Sequence, residues 1–343
     1  MRVICLHRHG GPEVLVEEDW PTPEAGPGLV LVRVEAVALN HMDLWVRNGL
    51  PNLKLQYPHV LGCDIAGEIA ALGPGVSGIP VGLKIVVNPG LSCGHCRECL
   101  SGKDNLCRSY GILGEHVRGG YAEYLTVPAQ NAVPRPANLS VAEAAAFPLT
   151  TLTAWQMLVD RARVRPGETV VVLGAGSGVG TAGIQIAKLL GARVIATATS
   201  DDKLERARAL GADDVLNTLS EDLVEGVRKR TAKRGADVIF EHIGKALFAK
   251  AILACARGGR IVTCGATTGH DATIDLRHVF FRQIDILGST MGSKGMMYDI
   301  IPHITSGKIK PVVDRVLPFA QARAAHELLQ ERKQFGKIVL AMN

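Results

Sequence analysis

The sequence predicts an α/β protein made of a compact β-barrel and a doubly wound parallel sheet. The first 130 residues read as short β segments separated by glycine and proline, and the residues after Pro136 alternate strand and helix patterns. In addition, 47% of the 343 residues are hydrophobic but only 4% are aromatic, so the core must be aliphatic. A chain of this length usually forms two domains.

The β segments of the first part are recognised by their period of two. Residues 29–37 alternate apolar and polar positions, as a half-buried strand does. Residues 65–72 and 84–87 have a similar pattern, and turns such as Gly26-Pro27-Gly28 separate the segments. Frequent turns of this kind favour a compact barrel over a helical domain.

The second part alternates strands with helices, which is the pattern of a parallel, doubly wound sheet. Ser140 and Glu143 have the spacing of a capping box and predict a helix over 140–147. The strands predicted after it are 169–173, 193–197, 236–241, 259–264, 284–290 and 337–340. The helices predicted among them are 178–190, 203–210, 298–306 and 320–331.

Charge and hydropathy argue against several classes of partner. The net charge of +5 is scattered, and the tight basic run Arg228-Lys229-Arg230 is typical of a solvated helix face, not of a nucleic-acid site. No apolar run reaches the roughly 20 residues that span a bilayer. We therefore expect a soluble, cytoplasmic protein that binds a small molecule and neither nucleic acid nor membrane.

Four of the eight cysteines lie close together in the chain, at Cys93, Cys96, Cys99 and Cys107. Zinc in a structural site takes four ligands at tetrahedral corners, and gaps of two residues let successive thiolates point inward. The cluster therefore predicts one structural zinc ion, and His95 inside it is expected to be exposed because four sulfurs fill the shell. An iron–sulfur cluster is the chemical competitor, and unbound thiols or a redox pair are the metal-free alternatives.

A glycine-rich turn follows the predicted strand at 169–173 and precedes a helix. Glycines let the backbone approach a pyrophosphate, and a helix N-terminus offers N–H groups and partial positive charge. Because the turn lies within a strand–helix–strand unit, it predicts a dinucleotide site, although its G-x-G-x-G-x-G spacing is one residue longer than usual. The residues of the turn are Gly174, Ala175, Gly176, Ser177, Gly178, Val179 and Gly180.

The end of the next strand bears on the choice between NAD(H) and NADP(H). An acid there would bond the adenosine ribose of NAD(H), but residues 196–200 are small or carry hydroxyl groups. Ser200, the last of these residues, is a candidate cofactor contact, and Lys203 and Arg206 just beyond it could meet a 2′-phosphate, so the pattern favours NADP(H). Asp202 and Glu205 have capping-box spacing and are expected to cap the helix.

Together these motifs resemble those of the medium-chain dehydrogenase/reductase superfamily, which includes zinc alcohol dehydrogenases and quinone reductases. The resemblance covers the whole chain and is also carried by residues 37–43 (VALNHMD), 61–64 (LGCD), 119–123 (GGYAE) and 335–339 (FGKIV). It implies a GroES-like catalytic domain from residues 1–150 and 292–343, with a zinc lobe at about 90–110. Residues 151–291 would form a Rossmann coenzyme domain.

The resemblance implies further contacts of the cofactor and of the subunits. Lys337 is implied to contact the pyrophosphate, and the apolar strand at 284–290 to pair across subunits in a homodimer or homotetramer. The residues implied to lie beside the nicotinamide or the middle of the coenzyme are Thr153, His242, Ile243, Cys264, Gly265, Thr290 and Met291.

The chain departs from the alcohol dehydrogenase pattern where that branch holds a catalytic zinc. The usual ligands are a cysteine, a histidine next to a glutamate, and a third cysteine or acid. This chain has Asn40 first, Cys63-Asp64 as the pair and Leu149 third, while Met42 replaces the hydroxyl that relays the substrate proton. The candidate catalytic residues are Asn40, Asp43, Cys63 and Asp64.

Two enzyme functions compete on this basis. The first is a reductase of enones, quinones or enoyl thioesters, in which Asn40 steadies the developing enolate and no metal is required. The second is an alcohol dehydrogenase with an altered zinc site at Cys63 and Asp64, helped by His41 or His59. We favour the first because asparagine and leucine are poor metal ligands. A coenzyme-binding redox sensor without turnover is the alternative that is not an enzyme.

Overall fold

The structure is a computed structural model that describes residues 1–51 and 53–342. These residues form two compact units. The first unit contains residues 1–149, 293–305 and the segment from Pro311 onward, and the second contains residues 150–292 and 306–310. No helix in the described ranges combines the length and the apolar character needed to cross a bilayer.

The strands and helices are numbered along the whole chain. The strands are β1 (Arg2–Leu6), β2 (Val16–Asp19), β3 (Leu29–Ala38), β4 (His59–Val60), β5 (Asp64–Leu72), β6 (Lys84–Val87), β7 (Gly90–Leu91), β8 (Gly111–Ile112), β9 (Tyr124–Pro128), β10 (Ala132–Pro134), β11 (Thr169–Val172), β12 (Arg193–Ala198), β13 (Asp214–Asn217), β14 (Ala236–Glu241), β15 (Cys255–Thr263), β16 (Asp285–Gly288), β17 (Val313–Pro318) and β18 (Lys337–Ala341). The α-helices are α1 (His41–Asn48), α2 (Arg97–Leu100), α3 (Val141–Ala146), α4 (Pro148–Trp155), α5 (Gly178–Leu189), α6 (Asp201–Ala209), α7 (Leu223–Arg230), α8 (Phe248–Ala254), α9 (Leu276–Arg282), α10 (Lys294–Thr305) and α11 (Ala322–Gln330).

The first unit is organised around β3, the strand with the alternating pattern. β5 pairs antiparallel with one edge of β3, while β9 and then β18 pair with the other edge. The sheet order is β10-β6-β5-β3-β18-β17, and smaller sheets β2-β1-β4 and β7-β8 complete the unit. Ala38, at the end of β3, lies opposite Asp64 of β5 and Val339 of β18. The fold therefore gathers the first residues of β5 and β18 at one end of β3.

The second unit is a six-stranded parallel sheet in the order β13-β12-β11-β14-β15-β16, as the alternation of strands and helices predicts. Its central strands are apolar and buried, with Val171 and Ile239 fully enclosed. Branched aliphatic side chains suit such strands because helices cover both faces of a parallel sheet. The chain order reverses between β11 and β14, and sheets of this kind bind ligands at the carboxyl ends of the strands beside that reversal.

The predicted helix starts have mixed outcomes. The capping box of Ser140 and Glu143 is confirmed, with the Glu143 backbone N–H donating to Ser140 Oγ at 3.3 Å. The capping role predicted for Asp202 was wrong. Helix α6 begins at Asp201 and Ser200 is its N-cap, so Asp202 lies inside the first turn.

Helix α10 begins at Lys294, four residues before the predicted start at 298. The backbone N–H of Lys294 donates to Asp104 Oδ1 at 2.8 Å, so a carboxylate 190 residues away satisfies this N-terminus. A pattern of local apolar positions cannot reveal a partner so distant in the chain. Strand β15 also begins earlier than predicted, at Cys255.

Candidate functional site

The four clustered cysteines form a compact sulfur cage in the first unit. The sulfurs of Cys96 and Cys99 lie 3.5 Å apart, those of Cys93 and Cys107 3.6 Å apart, and those of Cys93 and Cys99 3.9 Å apart. Sulfurs bound tetrahedrally to zinc at about 2.3 Å would lie about 3.8 Å from one another. The cage therefore fits one zinc ion whose four positions are filled by protein, and His95 is exposed as predicted.

A partly buried ion pair anchors the loop that carries the cage. Asp104, between the third and fourth cysteines, accepts a hydrogen bond from Lys294 Nζ at 2.8 Å. Lys294 Nζ also donates to Ser92 Oγ at 2.7 Å. Because the side chains of Lys294 and Asp104 are only 16% and 10% exposed, this charge-assisted contact fastens the loop to α10.

Four polar residues converge where β3 ends and where β5 and β18 begin. Asn40 is the N-cap of α1, Cys63 directly precedes β5, and Asp64 is the first residue of β5. Lys337 is the first residue of β18. All four residues are buried, with exposed fractions between 0% and 6%. We call these four residues the polar centre.

Hydrogen-bond donors surround the Asp64 carboxylate. Its Oδ2 accepts from Lys337 Nζ and from Asn40 Nδ2, both at 2.8 Å, and its Oδ1 accepts from the backbone N–H of Leu149 at 2.6 Å. A buried carboxylate needs such partners because its desolvation otherwise costs several kcal/mol. The Lys337 ammonium supplies the compensating charge.

The amide of Asn40 is held in one orientation. Lys337 Nζ can only donate and lies 2.5 Å from Asn40 Oδ1, so the NH₂ group must face the other way. Asn40 Nδ2 then donates to Asp64 and to Cys63 Sγ, 3.2 Å away. Burial, with the nearby Asp64 and Asp43 charges, raises the pKa of the Cys63 thiol well above its usual value. Cys63 therefore stays a neutral thiol at ordinary pH.

Asp43 braces the backbone on both sides of the polar centre. Its carboxylate accepts hydrogen bonds from the backbone N–H groups of Asn40 at 2.7 Å and Gly62 at 3.0 Å. Asp43 is fully buried, and burial raises its pKa to about 6 against the effect of those two donors. Its contacts fix the positions of Asn40 and of the residue before Cys63.

The two histidines proposed to help a metal at Cys63 and Asp64 have other partners. His59 Nε2 lies 3.1 Å from the Gly114 carbonyl oxygen, and the His41 ring packs edge-on against Trp45. Residues 1–51 and 53–342 contain two groups of three or more His, Cys, Asp or Glu residues whose ligand atoms lie within 4.8 Å of one another. Neither group contains Cys63 or Asp64.

A buried chain of three side chains supports the polar centre and was missed by the sequence analysis. Arg47 Nη1 lies 3.1 Å from His326 Nδ1, and Tyr121 Oη lies 3.0 Å from His326 Nε2. Because arginine only donates, Nδ1 must accept and the Nε2–H must donate to Tyr121. The Tyr121 ring packs on Gly62, where an added Cβ would lie 2.4 Å from it. Arg47 and His326 are 279 residues apart, so no local motif could indicate the contact.

In the second unit, the glycine turn joins β11 to α5. Gly174 has a φ of +65°, and a Cβ on Gly180 would lie 2.4 Å from the Gly174 carbonyl oxygen, so neither position tolerates a side chain. Ser177 is the N-cap of α5 and accepts the Gly180 N–H at 2.9 Å. Ala175 and Gly176 lie within the turn, and Gly178 and Val179 begin the helix. A close-packed backbone before a helix N-terminus is an arrangement that suits a pyrophosphate.

The other predicted cofactor residues of this unit lie mostly after the parallel strands. Ile243 follows β14, Cys264 and Gly265 follow β15, and Met291 follows β16. Thr153 lies in α4, and its buried Oγ1 has no hydrogen-bond partner among the described residues. A bound ligand would satisfy such an atom, so the residues present fit a dinucleotide.

The residues predicted to select the dinucleotide lie around the start of α6. Strand β12 ends at the buried Ala198, and Ser200 is an N-cap whose side chain makes no capping bond. Lys203 and Arg206 lie on α6 and are partly buried. Lys337, in contrast, lies in the first unit and is bonded to Asp64 and Asn40, so its contact with the pyrophosphate stays a prediction.

Comparison with known protein families identifies both parts of the chain. Residues 26–137 match the alcohol dehydrogenase GroES-like domain, and residues 178–306 match the zinc-binding dehydrogenase domain. The chain belongs to the zinc-containing medium-chain dehydrogenase/reductase superfamily. The GroES-like and Rossmann architecture expected from the sequence is thereby confirmed.

Members of this superfamily resemble the chain over its whole length. The NAD-dependent alcohol dehydrogenase of Sulfolobus acidocaldarius is 33% identical over 99% of each chain. A crystal structure of an NAD-dependent alcohol dehydrogenase is 54% identical over 100% of both chains, with a TM-score of 0.97. A crotonyl-CoA carboxylase/reductase is 28% identical over 100% of this chain and 88% of its own, with a TM-score of 0.92. Superfamily members named for different reactions thus share this fold, so the reaction must be argued from the site.

Proposed function

We propose that this oxidoreductase transfers hydride from NAD(P)H to an electron-poor double bond, in an enone, a quinone or an enoyl thioester, without a catalytic metal. One observation carries the proposal. The Asp64 carboxylate, which replaces a residue next to the catalytic zinc, is bonded to an ammonium, an amide and a backbone N–H. These donors present hydrogens where a metal would require lone pairs.

The proposed reaction needs a positive group near the carbonyl oxygen of the substrate. A reduced nicotinamide held by the second unit would supply the hydride for the β-carbon, and negative charge would then develop on that oxygen. The two amide protons of Asn40 already have acceptors in the polar centre. Two of the three Lys337 ammonium protons have acceptors among the described residues, and we assign the third to the developing oxyanion in place of the pyrophosphate contact that the family resemblance implies. The α-carbon then takes its proton from water.

An assay of wild-type protein tests this proposal. We expect NAD(P)H oxidation with conjugated enones or enoyl thioesters, and we expect the rate to survive a chelator that leaves the cysteine cage loaded. Alcohol oxidation that is lost on chelation and restored by zinc would contradict the proposal. A screen of enones, carbonyls and alcohols without turnover would favour the coenzyme-binding sensor.

An alcohol dehydrogenase with an altered zinc site is the second candidate, and the names of the relatives favour it. It requires Cys63 to lose a proton and Asp64 to exchange its present donors for a metal ion. Asp64→Asn discriminates between the two functions. In the alcohol dehydrogenase this substitution should remove a bound zinc ion, whereas in the reductase it should leave the zinc content unchanged.

For the cofactor we propose NADP(H) in preference to NAD(H). The support is the absence of a carboxylate at the end of β12, where Ala198 is followed by Thr199 and Ser200. Fluorescence titration should give tighter binding for NADPH than for NADH, and Ala198→Asp should reverse the order. Tighter binding of NADH by the wild-type protein, as the names of the NAD-dependent relatives suggest, would overturn this choice.

We further propose that the chain forms a homodimer or homotetramer through the β16 edge of the parallel sheet. Among the described residues, β16 pairs with β15 only, which leaves its other edge open. Ile286 on this strand is 41% exposed, and Phe280 and Phe281 on α9 are 60% and 68% exposed. An open edge next to exposed aromatic rings favours pairing with a second copy.

A further inference from the structure

A second cluster of potential metal ligands lies in the first unit, apart from the cysteine cage and the polar centre. Cys5 is on β1, His7 follows that strand, and Glu18 is on β2. Their ligand atoms all lie within 4.8 Å of one another. His7 Nε2 is 3.9 Å from Cys5 Sγ and 2.6 Å from Glu18 Oε1.

Strand register explains why these side chains meet. β1 and β2 pair antiparallel, with Val3 opposite Glu18 and Cys5 opposite Val16. Directly opposed residues project from the same face of a sheet, as do residues two apart on one strand. Cys5 and Glu18 therefore share one face of the ribbon, and His7, directly after β1, contacts both of them. The backbone hydrogen bonds of the ribbon hold the strands that carry the three residues in register.

We propose that Cys5, His7 and Glu18 bind one divalent transition-metal ion, with zinc the best fit, and leave a fourth position for water. A thiolate, an imidazole and a carboxylate are all ligands that zinc accepts, and three protein ligands plus water is a common zinc arrangement. The two negative ligands would neutralise the ion. The site thus differs from the cage, whose four sulfurs leave no position open.

The distances require only a small adjustment. Zinc bonds of about 2.0–2.3 Å separate neighbouring ligand atoms by about 3.3–3.7 Å. The gap between Cys5 and His7 is already close to that value. The contact between His7 and Glu18 is a hydrogen bond that must open, and the Glu18 side chain, 33% exposed, can rotate to open it.

The surroundings contain an orienting contact, an entry path and an opposing charge. Trp20 Nε1 donates to Glu18 Oε2 at 2.7 Å, which directs Oε1 toward His7, and such contacts orient metal ligands. The His7 side chain is 55% exposed, so an ion can enter beside it. The Arg118 guanidinium stacks on Trp20 at 4.7 Å, and its charge should make the affinity lower than that of the cage.

The ribbon site does not depend on the proposed function, but a metal ion bound there adds to the zinc count of the chain. A second zinc ion per chain could lie in the ribbon, so a count of two would not by itself indicate a catalytic metal. Variants of each site separate the two locations.

Elemental analysis after dialysis against micromolar zinc tests the site. We expect two zinc ions per chain in the wild type and one in both Cys5→Ala and His7→Gln. Cys255→Ala, at a buried cysteine outside both ligand groups, should retain two. His7 is exposed enough that its substitution should not disturb folding. The His7 variant therefore still tests the site if the Cys5 variant does not fold. One zinc ion in the wild type would overturn the inference and leave the reductase proposal intact. Two zinc ions in the His7 variant would overturn the inference, and the Asp64→Asn variant then shows whether the second ion lies in the polar centre.

Cobalt provides a second measurement. Added to protein from which zinc has been dialysed until only the cage stays loaded, Co²⁺ should produce a near-ultraviolet thiolate band that is absent in Cys5→Ala and present in Cys255→Ala. A second metal ion lost in Asp64→Asn but retained in His7→Gln would place it in the polar centre. That result would contradict both this inference and the reductase proposal.

Discussion

Lys337 Nζ lies 2.8 Å from Asp64 Oδ2, and only 4% and 0% of the two side chains are exposed. The pair joins the first residues of two strands, β18 and β5, which pair with opposite edges of β3. The Lys337 ammonium thus places a positive charge beside the buried Asp64 carboxylate, and the pairing of both strands with β3 holds the two groups together.

The first prediction concerns the free energy of unfolding. Lys337→Met leaves a buried carboxylate without its counter-charge, and we expect a loss of about 3–5 kcal/mol. Adding Asp64→Asn should recover part of this loss because a neutral amide needs no counter-charge. Urea unfolding of the two single variants and of the double variant measures the coupling free energy between Lys337 and Asp64.

The exposed pair Lys245–Asp271 is the matched control for this prediction. Its side chains are 56% and 64% exposed at a similar N–O distance of 2.7 Å. Lys245→Met should therefore cost far less stability than Lys337→Met. Equal losses at Lys337 and Lys245 would show that burial does not strengthen the inner pair.

Local motifs explain which parts of the molecule the sequence predicted well. The spacing of Cys93 to Cys107 and the glycines from Gly174 to Gly180 each lie within one short segment, so chemistry and geometry are encoded together. The alternation along β3 likewise follows from the local period of a strand. The parallel, doubly wound sheet could be predicted because strand and helix patterns alternate along the chain after Pro136.

Contacts between distant segments explain what the sequence could not predict. The side chain of Lys337 is bonded to Asp64, 273 residues away, and no local motif indicates this contact. The apolar residues after it, Ile338 to Leu340, do indicate a buried strand, and a lysine beginning such a strand is a signal for a buried partner. Which residue becomes the partner of Lys337 depends on how β18 and β5 are each aligned with β3.

The second prediction concerns the zinc cage. Cys107→Ser removes one of four thiolates, so we expect the cage to lose its zinc and the thermal midpoint to fall. The catalytic rate of the molecules that stay folded should change little, because a zinc ion bound by four sulfurs has no position for substrate. Elemental analysis, thermal unfolding and an activity assay on the same sample measure these effects. A variant that keeps full stability after losing the metal would contradict the structural role.

The third prediction is a dependence of stability on pH. Burial, reinforced by the Arg47 charge, lowers the pKa of His326 to about 3, from 6.5 in an unfolded chain. Below pH 6.5 the unfolded chain therefore binds a proton that the folded protein does not, and stability falls as the pH decreases from 6.5 toward 3. His326→Asn removes this titration, so its unfolding midpoint in urea should depend less on pH than that of the wild type.

An exposed histidine provides the control for the pH measurement. His270 is exposed, and His270→Asn should retain the wild-type dependence on pH. Parallel pH profiles for the wild type and the His326 variant would mean that His326 is protonated in the folded state.

The fourth prediction concerns assembly through β16. Ile286→Lys places a charge on the open edge strand, where edge-to-edge pairing would bury it without a partner. We expect sedimentation to give a dimer or tetramer for the wild type and a smaller species for this variant. Leu219→Lys is the matched control because Leu219 is also in the second unit, is 78% exposed and lies away from that edge. A wild-type monomer, or equal dissociation of both variants, would contradict pairing at β16.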